Sequence, residues 1–309
     1  STTFDLSGQV AVNADATRAV VAVQNAARVI DLTTGNQIGF ELNTASNNDI
    51  ISTFDGQYAV GIGFRGPLIE FATASLLALT NEAVSCEFGA VSPVDYRAAM
   101  CSTTFGDDLV VVETDGDGSP GIEAYQLSGP LEEGDRCRTV AMSEDGSVAV
   151  GVSIFSDTAT IIDPATGSVT GWAPVGQRPS GVAISPDGTT AVVANLDSSF
   201  ASVIDLATAT TTNINISRRG SQVEISPDGQ YAYIPVVADG DGVWRINLGT
   251  LSVEGFKLPA GNMGGVGYSY NQSSGIDLSA DGSKLAVAGS FDNVVTIIDA
   301  DLTASVTRF

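Results

Sequence analysis

The residues able to do chemistry in this sequence are few in kind. It contains no histidine, which excludes imidazole bases, Ser-His-Asp and Cys-His relays and imidazole-ligated zinc. Chemistry is left to carboxylate, tyrosine, arginine and lysine. Three constellations carry those groups at useful spacing. The first is Glu113-Thr114-Asp115-Gly116-Asp117-Gly118 with Glu123 beyond it. Carboxylates separated by glycine offer hard oxygen donors on a backbone free to wrap an ion, which suits calcium, and Asp115, Asp117 and Glu123 are the candidate ligands. Asp239-Gly240-Asp241-Gly242 is a shorter version. Neither segment has the flanking helices or full ligand order of the helix-loop-helix calcium site, and a solvated hairpin tip is the plain alternative for both.

The second constellation is the glycine-rich run from Gly261 to Gln272, which presents Tyr268, Tyr270 and Asn271. Aromatic faces and an amide on a loop of this kind suit a sugar ring or planar ligand, and ordinary loop filling is the alternative. No lysine or strand-to-helix switch follows, so it is no phosphate loop and no nucleotide is expected. The third is the arginine set. The chain has 11 arginines and only 2 lysines. Arg65, Arg97, Arg136, Arg138, Arg178, Arg218 and Arg219 fall between the regular elements or at their starts. Guanidinium forks there fit carboxylate, sulfate or phosphate, or else pair with neighbouring acidic loops.

Composition narrows the partners. Across 309 residues, 13 Lys+Arg face 36 Asp+Glu, a formal charge of −23. A surface this acidic repels nucleic-acid backbones and anionic membranes. No apolar run is long enough for a transmembrane helix, and Ser1-Thr2-Thr3 is compatible with a removed signal peptide. The odd cysteine set, Cys86, Cys101 and Cys137, implies one bridge plus a free thiol, or three thiols. If a bridge forms, Cys86 with Cys137 is the favoured pair, since both precede a first strand of the repeat.

That repeat is what positions everything above. Ser143-Glu144-Asp145-Gly146, Ser185-Pro186-Asp187-Gly188, Ser226-Pro227-Asp228-Gly229 and Ser279-Ala280-Asp281-Gly282 each precede a run of small and β-branched residues. Fainter copies lie at Asn13-Ala14-Asp15-Ala16, Phe54-Asp55-Gly56 and Thr103-Thr104-Phe105-Gly106. The Asp-column spacings are 40, 50, 40, 42, 41 and 53 residues, a period that points to a propeller or array. Each unit alternates into the Asp-Gly turn, continues in a second strand, and reaches a third strand ending in a pair such as Ile30-Asp31, Ile162-Asp163, Ile204-Asp205 or Ile298-Asp299. A Thr-Gly-type turn and a weaker outer strand close it. Short, evenly spaced strands with Asp-Gly hairpins and no sustained helical period predict an all-β, seven-bladed propeller of four-stranded antiparallel blades. The whole chain, 1–309, reads as one propeller domain, with blades at about 8–43, 48–81, 96–130, 137–174, 179–216, 221–258 and 273–309. Phe4-Asp5-Leu6 is expected to pair with the last blade and close the ring, removing exposed edges.

The phrase Ile184-Ser185-Pro186-Asp187-Gly188, followed by Ala191-Val192-Val193-Ala194-Asn195 and Val203-Ile204-Asp205, resembles the YVTN-type β-propeller repeat of surface-layer, lactonase-like and cytochrome cd1 haem-d1-type propellers. The resemblance covers all seven units and is strong in the last four. It implies the fold and residence outside the cytoplasm: secreted, periplasmic or cell-surface. The activities of the lactonase and haem branches rest on site residues that include histidines, so neither carries over and no haem is expected.

Asp145, Asp187, Asp228 and Asp281 belong to turns, and Asp31, Asp163, Asp205 and Asp299 to strand ends. With Asp55 they are structural grammar. Both turn sets belong to one face of the disc, which leaves function to the opposite face and its arginines. The longer connections near 81–95 and 261–272 enlarge that face, while Trp172 and Trp244 read as packing. The leading expectation is a binding propeller recognising a protein partner or an anionic carbohydrate or small molecule at an arginine-rimmed channel mouth, with calcium as the candidate ion. The alternatives are a lyase or hydrolase on an acidic sugar or lactone, with Tyr268 or Tyr270 moving the proton, and a purely structural surface module.

Overall fold

The computed structural model describes residues 10–12, 15, 17–23, 26–43, 47–52, 58–63, 67–70, 75–79, 86–91, 97–102, 109–114, 122–126, 137–216, 219–237, 242–257, 276–279, 281–288, 295–302 and 307–308. Among these residues there is no helix, and the strands form seven antiparallel sheets, each a meander in chain order. The first sheet is β1 (Val10–Val12), β2 (Arg18–Val23), β3 (Ala26–Asp31) and β4 (Gln37–Asn43). The second is β5 (Asn47–Ser52), β6 (Tyr58–Gly63), β7 (Pro67–Glu70) and β8 (Ser75–Leu79). The third is β9 (Cys86–Val91), β10 (Arg97–Ser102), β11 (Leu109–Thr114) and β12 (Ile122–Gln126). The fourth is β13 (Cys137–Met142), β14 (Ala149–Ser153), β15 (Thr158–Asp163) and β16 (Ser168–Pro174), and the fifth β17 (Pro179–Ile184), β18 (Thr190–Asn195), β19 (Phe200–Asp205) and β20 (Thr210–Asn215). In the sixth the first strand is split into β21 (Arg219–Gly220) and β22 (Glu224–Ile225), both paired with β23 (Tyr231–Val237), followed by β24 (Gly242–Asn247) and β25 (Val253–Lys257). The seventh is β26 (Ile276–Leu278), β27 (Lys284–Ala288), β28 (Val295–Asp299) and β29 (Thr307–Arg308). The segment Phe4-Asp5-Leu6, expected to close a ring, lies outside the described residues.

The repeat phrase folds as its chemistry dictates. Ser185 Oγ donates to Asp187 Oδ1 at 2.6 Å, the Thr189 amide donates to the same oxygen at 3.1 Å, and the Gly188 amide reaches the Ser185 carbonyl at 2.8 Å. Gly188 adopts φ 68°, which glycine reaches without steric cost. The same Ser-to-Asp bond recurs from Ser143 to Asp145, Ser226 to Asp228 and Ser279 to Asp281. At the other turn, Asp31 Oδ1 accepts the Thr33 and Thr34 amides, both at 2.9 Å. Asp205 accepts the Thr208 amide in the same way.

The third sheet departs from the expected register. The segment near 81–95, expected as an enlarged connection, contains β9, which pairs along β10 with Ala99 opposite Ala90. The third sheet therefore begins at Cys86 rather than near residue 96. Arg97 opens its second strand, and Tyr125-Gln126 end its fourth. The carboxylate segment after Glu113 consequently joins third and fourth strands. The cause is chemical: Thr103-Thr104-Phe105-Gly106 lacks the Asp that marks a first turn, while Phe88, Ala90 and their neighbours have the alternation of a strand.

The Cα trace divides into two compact units, Ser1–Ala149 with Ile162–Val169, and Val150–Ile161 with Thr170–Phe309. In the first, Cys137, Val140, Ala149 and Ile162 form a buried cluster on which Ala90 of β9 packs. Cys137 is disulfide-bonded, so its partner is Cys86 or Cys101, on neighbouring strands β9 and β10. In the second, Val192, Ala194, Ala201 and Val203 of the fifth sheet interlock with Val223, Ala232, Ile234, Val236 and Ile246 of the sixth. Tyr233 and Val243 then pack on Ile276, Leu285, Val287 and Ile298 of the seventh. The sixth sheet thus buries both faces between its neighbours. Trp244 serves this packing, lying so close to Gly255 that a Cβ there would meet its ring at 2.7 Å. Trp172 does not: it is 48% exposed on the outer strand β16, where no further strand covers it.

Candidate functional site

Of the candidate residues, Arg65, Asp115, Asp117, Arg136, Arg218, Tyr268, Tyr270 and Asn271 lie outside the described residues. Glu123 sits in β12 directly across from Glu113, which in turn faces Arg97 on β10, so the three occupy one row of the third sheet. Arg138 is the second residue of β13 and is half-buried. Arg219 opens β21, paired with Val237.

Arg178 is the candidate whose side-chain geometry is fullest. It holds φ 51° immediately before β17, and its amide donates to Asp157 Oδ1 at 2.9 Å. Its guanidinium pairs with Asp197 Oδ2 at 2.9 Å, the two side chains being 32% and 28% exposed. Around it the connection from β16 is stitched to the β18–β19 turn. The Gly176 amide donates to Asn195 Oδ1 at 3.1 Å, and Gln177 to Ser198 Oγ at 2.9 Å. Asn195 is fully buried and spends its Nδ2 on the Phe200 carbonyl and Ser202 Oγ. The Arg178 guanidinium is thus turned onto the β18–β19 turn of its own sheet, in a pair open enough to water to contribute no more than ~1 kcal/mol.

Two further groups escaped the sequence reading. Arg245, on β24, is only 14% exposed and forms an ion pair with Glu254 of β25. Its Nη1 donates to the Ala300 carbonyl of the seventh sheet at 3.2 Å, and its Cζ lies 4.6 Å from the centre of the Tyr231 ring. Beside it the Tyr233 phenol is pushed above its ordinary pKa, chiefly by burial, against the opposing pull of Arg245. Glu224, on β22, is half-buried, and burial, helped by the charge of Asp277, raises its pKa to about 7. The signal for Glu224 was in the columns: two places before the turn serine stand Ala141, Ala183, Glu224 and Asp277. Arg245 had no such signal, because an arginine on a third strand reads as solvent-facing until the next sheet is placed over it.

The turn carboxylates sit at the other electrostatic extreme. Hydroxyls and amides hold Asp31, Asp145 and Asp281 at about 2, led by Thr33, Ser147 and Ser279 respectively. Asp187 and Asp228 are lowered in the same manner, first by Ser185 and Ser226. Groups so fixed in the ionised form bind protons too weakly for acid–base work near neutrality. Among the described residues no three Asp, Glu or Cys side chains gather as a metal site.

No protein-family model matches the chain, and no curated protein matches it in sequence. Solved structures do resemble it. Dihydro-haem d1 dehydrogenase NirN, solved in complex with DHE, matches at 15% identity over 100% of this chain and 67% of that one, with a TM-score of 0.74. The Dos1 propeller matches at 14% identity over 99% and 84%, TM-score 0.72. The β-propeller domain of Myceliophteria thermophila Cps50 (Swd1) matches at 14% over 96% and 98%, TM-score 0.66. At such identities the likeness carries the fold alone, and with the four-stranded antiparallel meanders it makes this chain a β-propeller.

Proposed function

We propose that the chain is a ring-closed, seven-bladed propeller of the YVTN-like kind that works outside the cytoplasm as a binding module, taking an anionic ligand or an acid-bearing partner at the arginines near the sheet starts. The observation that carries this reading is the use of Arg178. Its guanidinium already holds one carboxylate, Asp197, in a half-buried and weak pair, and a ligand carboxylate or sulfate can take that place at modest cost. Arg136 and Arg219 stand at the same repeat position, seven residues before the turn serine. Arg65, Arg97, Arg138, Arg218 and Asn271 complete the proposed set. The lack of histidine and the permanently ionised turn aspartates favour binding over catalysis. The disulfide at Cys137 supports an oxidising compartment, and calcium at Asp115, Asp117 and Glu123 would order the neighbouring loop.

Calorimetric titration with polygalacturonate oligomers and dextran sulfate, against neutral dextran, tests this. Binding confined to the anionic probes, weakened by salt and lost in the Arg178→Ala/Arg219→Ala double variant, is expected. Equal behaviour of the double variant removes the arginines from the site. For the ion, melting should rise with calcium and fall with chelator, and unchanged melting removes it.

A further inference from the structure

The sixth sheet carries a carboxyl where the fifth carries a methyl. Glu224 occupies the repeat position of Ala183, a residue that packs on the apolar layer between the fifth and sixth sheets. Successive strand residues face opposite sides. Val223 and Ile225 face the fifth sheet within that layer. Glu224 pairs in register with Tyr233, which packs on Ile276 and Leu285 of the seventh sheet. Glu224 is therefore aimed across the seam toward β26. There the Ile276 amide donates to Gln222 Oε1 at 3.1 Å, a bond that ties the two first strands together.

Among the described residues, the surroundings of Glu224 offer almost nothing to a charge. From β23 it meets Tyr233, whose nearest cation, Arg245, is committed to Glu254 and the Ala300 carbonyl. From β26 come apolar Ile276 and Leu278, while Asp277 between them, exposed on the strand's other face, acts on Glu224 as a like charge. Strand β17, on the other side, carries no titratable side chain. No described residue gives the Glu224 carboxylate a hydrogen bond or an ion pair. An ionised carboxylate so placed must draw in water or push the sheets apart, whereas a protonated one sits at modest cost.

We propose that the seam between the sixth and seventh sheets is a proton-operated latch, closed with Glu224 protonated and loosened when Glu224 ionises. The transition falls in the physiological range because burial first, and Asp277 second, shift the carboxyl to about 7. The sign follows from linkage. A carboxyl whose folded pKa lies above its unfolded value stabilises fully below the unfolded value, and that contribution is lost as pH rises through the folded one. The latch is tight in mild acid and slack in mild alkali.

Carbon-13 titration of the Glu224 carboxyl in the full chain, assigned through its backbone, reads the proposal directly. A midpoint near 7 is expected, moving lower in Asp277→Asn. Thermal melting of the wild type should fall by about 4 °C between about pH 5.5 and 8.5 from this group, and Glu224→Gln should lose that share of the fall. A midpoint in the ordinary glutamate range, or an undiminished fall in Glu224→Gln, overturns the latch. If Glu224→Gln does not fold, the wild-type titration alone decides.

Discussion

The seams on either side of the sixth sheet are built on the same repeat and filled with different chemistry. Toward the fifth sheet the filling is apolar and tight. Gly220 lies where a Cβ would meet Ala194 Cβ of the fifth sheet at 3.1 Å, Gly181 where one would meet Gln222 Cα at 2.6 Å, and Ser180 Oγ adds a bond to the Gly220 carbonyl at 3.1 Å. Toward the seventh sheet the layer is thinner in aliphatic groups and holds Tyr233, Arg245, Gln222 and Glu224. A repeat thus fixes strand order and turns through a handful of residues per unit. The positions between sheets stay free to be hard and permanent, or polar and responsive.

Substitutions can break that contrast, and they rank by what they remove. Ile234→Ala empties the middle of the fifth–sixth seam, where the side chain is fully buried, and should cost about 4 kcal/mol in urea unfolding at every pH tested. Glu224→Gln should stabilise by about 3 kcal/mol above pH 8, and by nearly nothing below the ordinary glutamate pKa. Stabilisation of equal size at both ends would show that shape, not charge, is at issue. Arg245→Met removes the charged bond to the Ala300 carbonyl and the stack on Tyr231, and should cost about 2 kcal/mol. A loss below the error of the measurement would show that the sixth–seventh seam does not depend on it. Asp187→Ala should cost about 1 kcal/mol through its lost turn bonds. Because the folded pKa of Asp187 is depressed, its contribution is present above the unfolded value and is lost as pH falls, the opposite sign to Glu224.

Much of the fold was legible because the turns demand particular residues. Gly146, Gly188, Gly229 and Gly282 all adopt positive φ between 68° and 69°, and the Ser and Asp before them make bonds that few other pairs can make. Where those residues are missing the reading slipped, as at Thr103-Thr104-Phe105-Gly106, and the third sheet was placed one strand late. The candidate site was less legible. Loop residues such as Tyr270 and Asp115 were chosen for type alone, and type says nothing about convergence. Arg178 was picked out by position, yet its partner Asp197 comes from the next turn of its own sheet. Glu224 looked like an ordinary polar residue in an alternating strand. Its burial comes from the stacking of one sheet on another, and that stacking leaves only a column-by-column trace in the repeat.

The contrast between the seams is tested most directly by amide hydrogen exchange at about pH 5.5 and 8.5, with each rate normalised to the intrinsic exchange at that pH. A proton-operated sixth–seventh seam predicts that β26, including the Ile276 amide bound to Gln222, loses about tenfold or more in protection at the higher pH while β17 keeps its own. Equal change at β17 and β26, or no change at either, would contradict it.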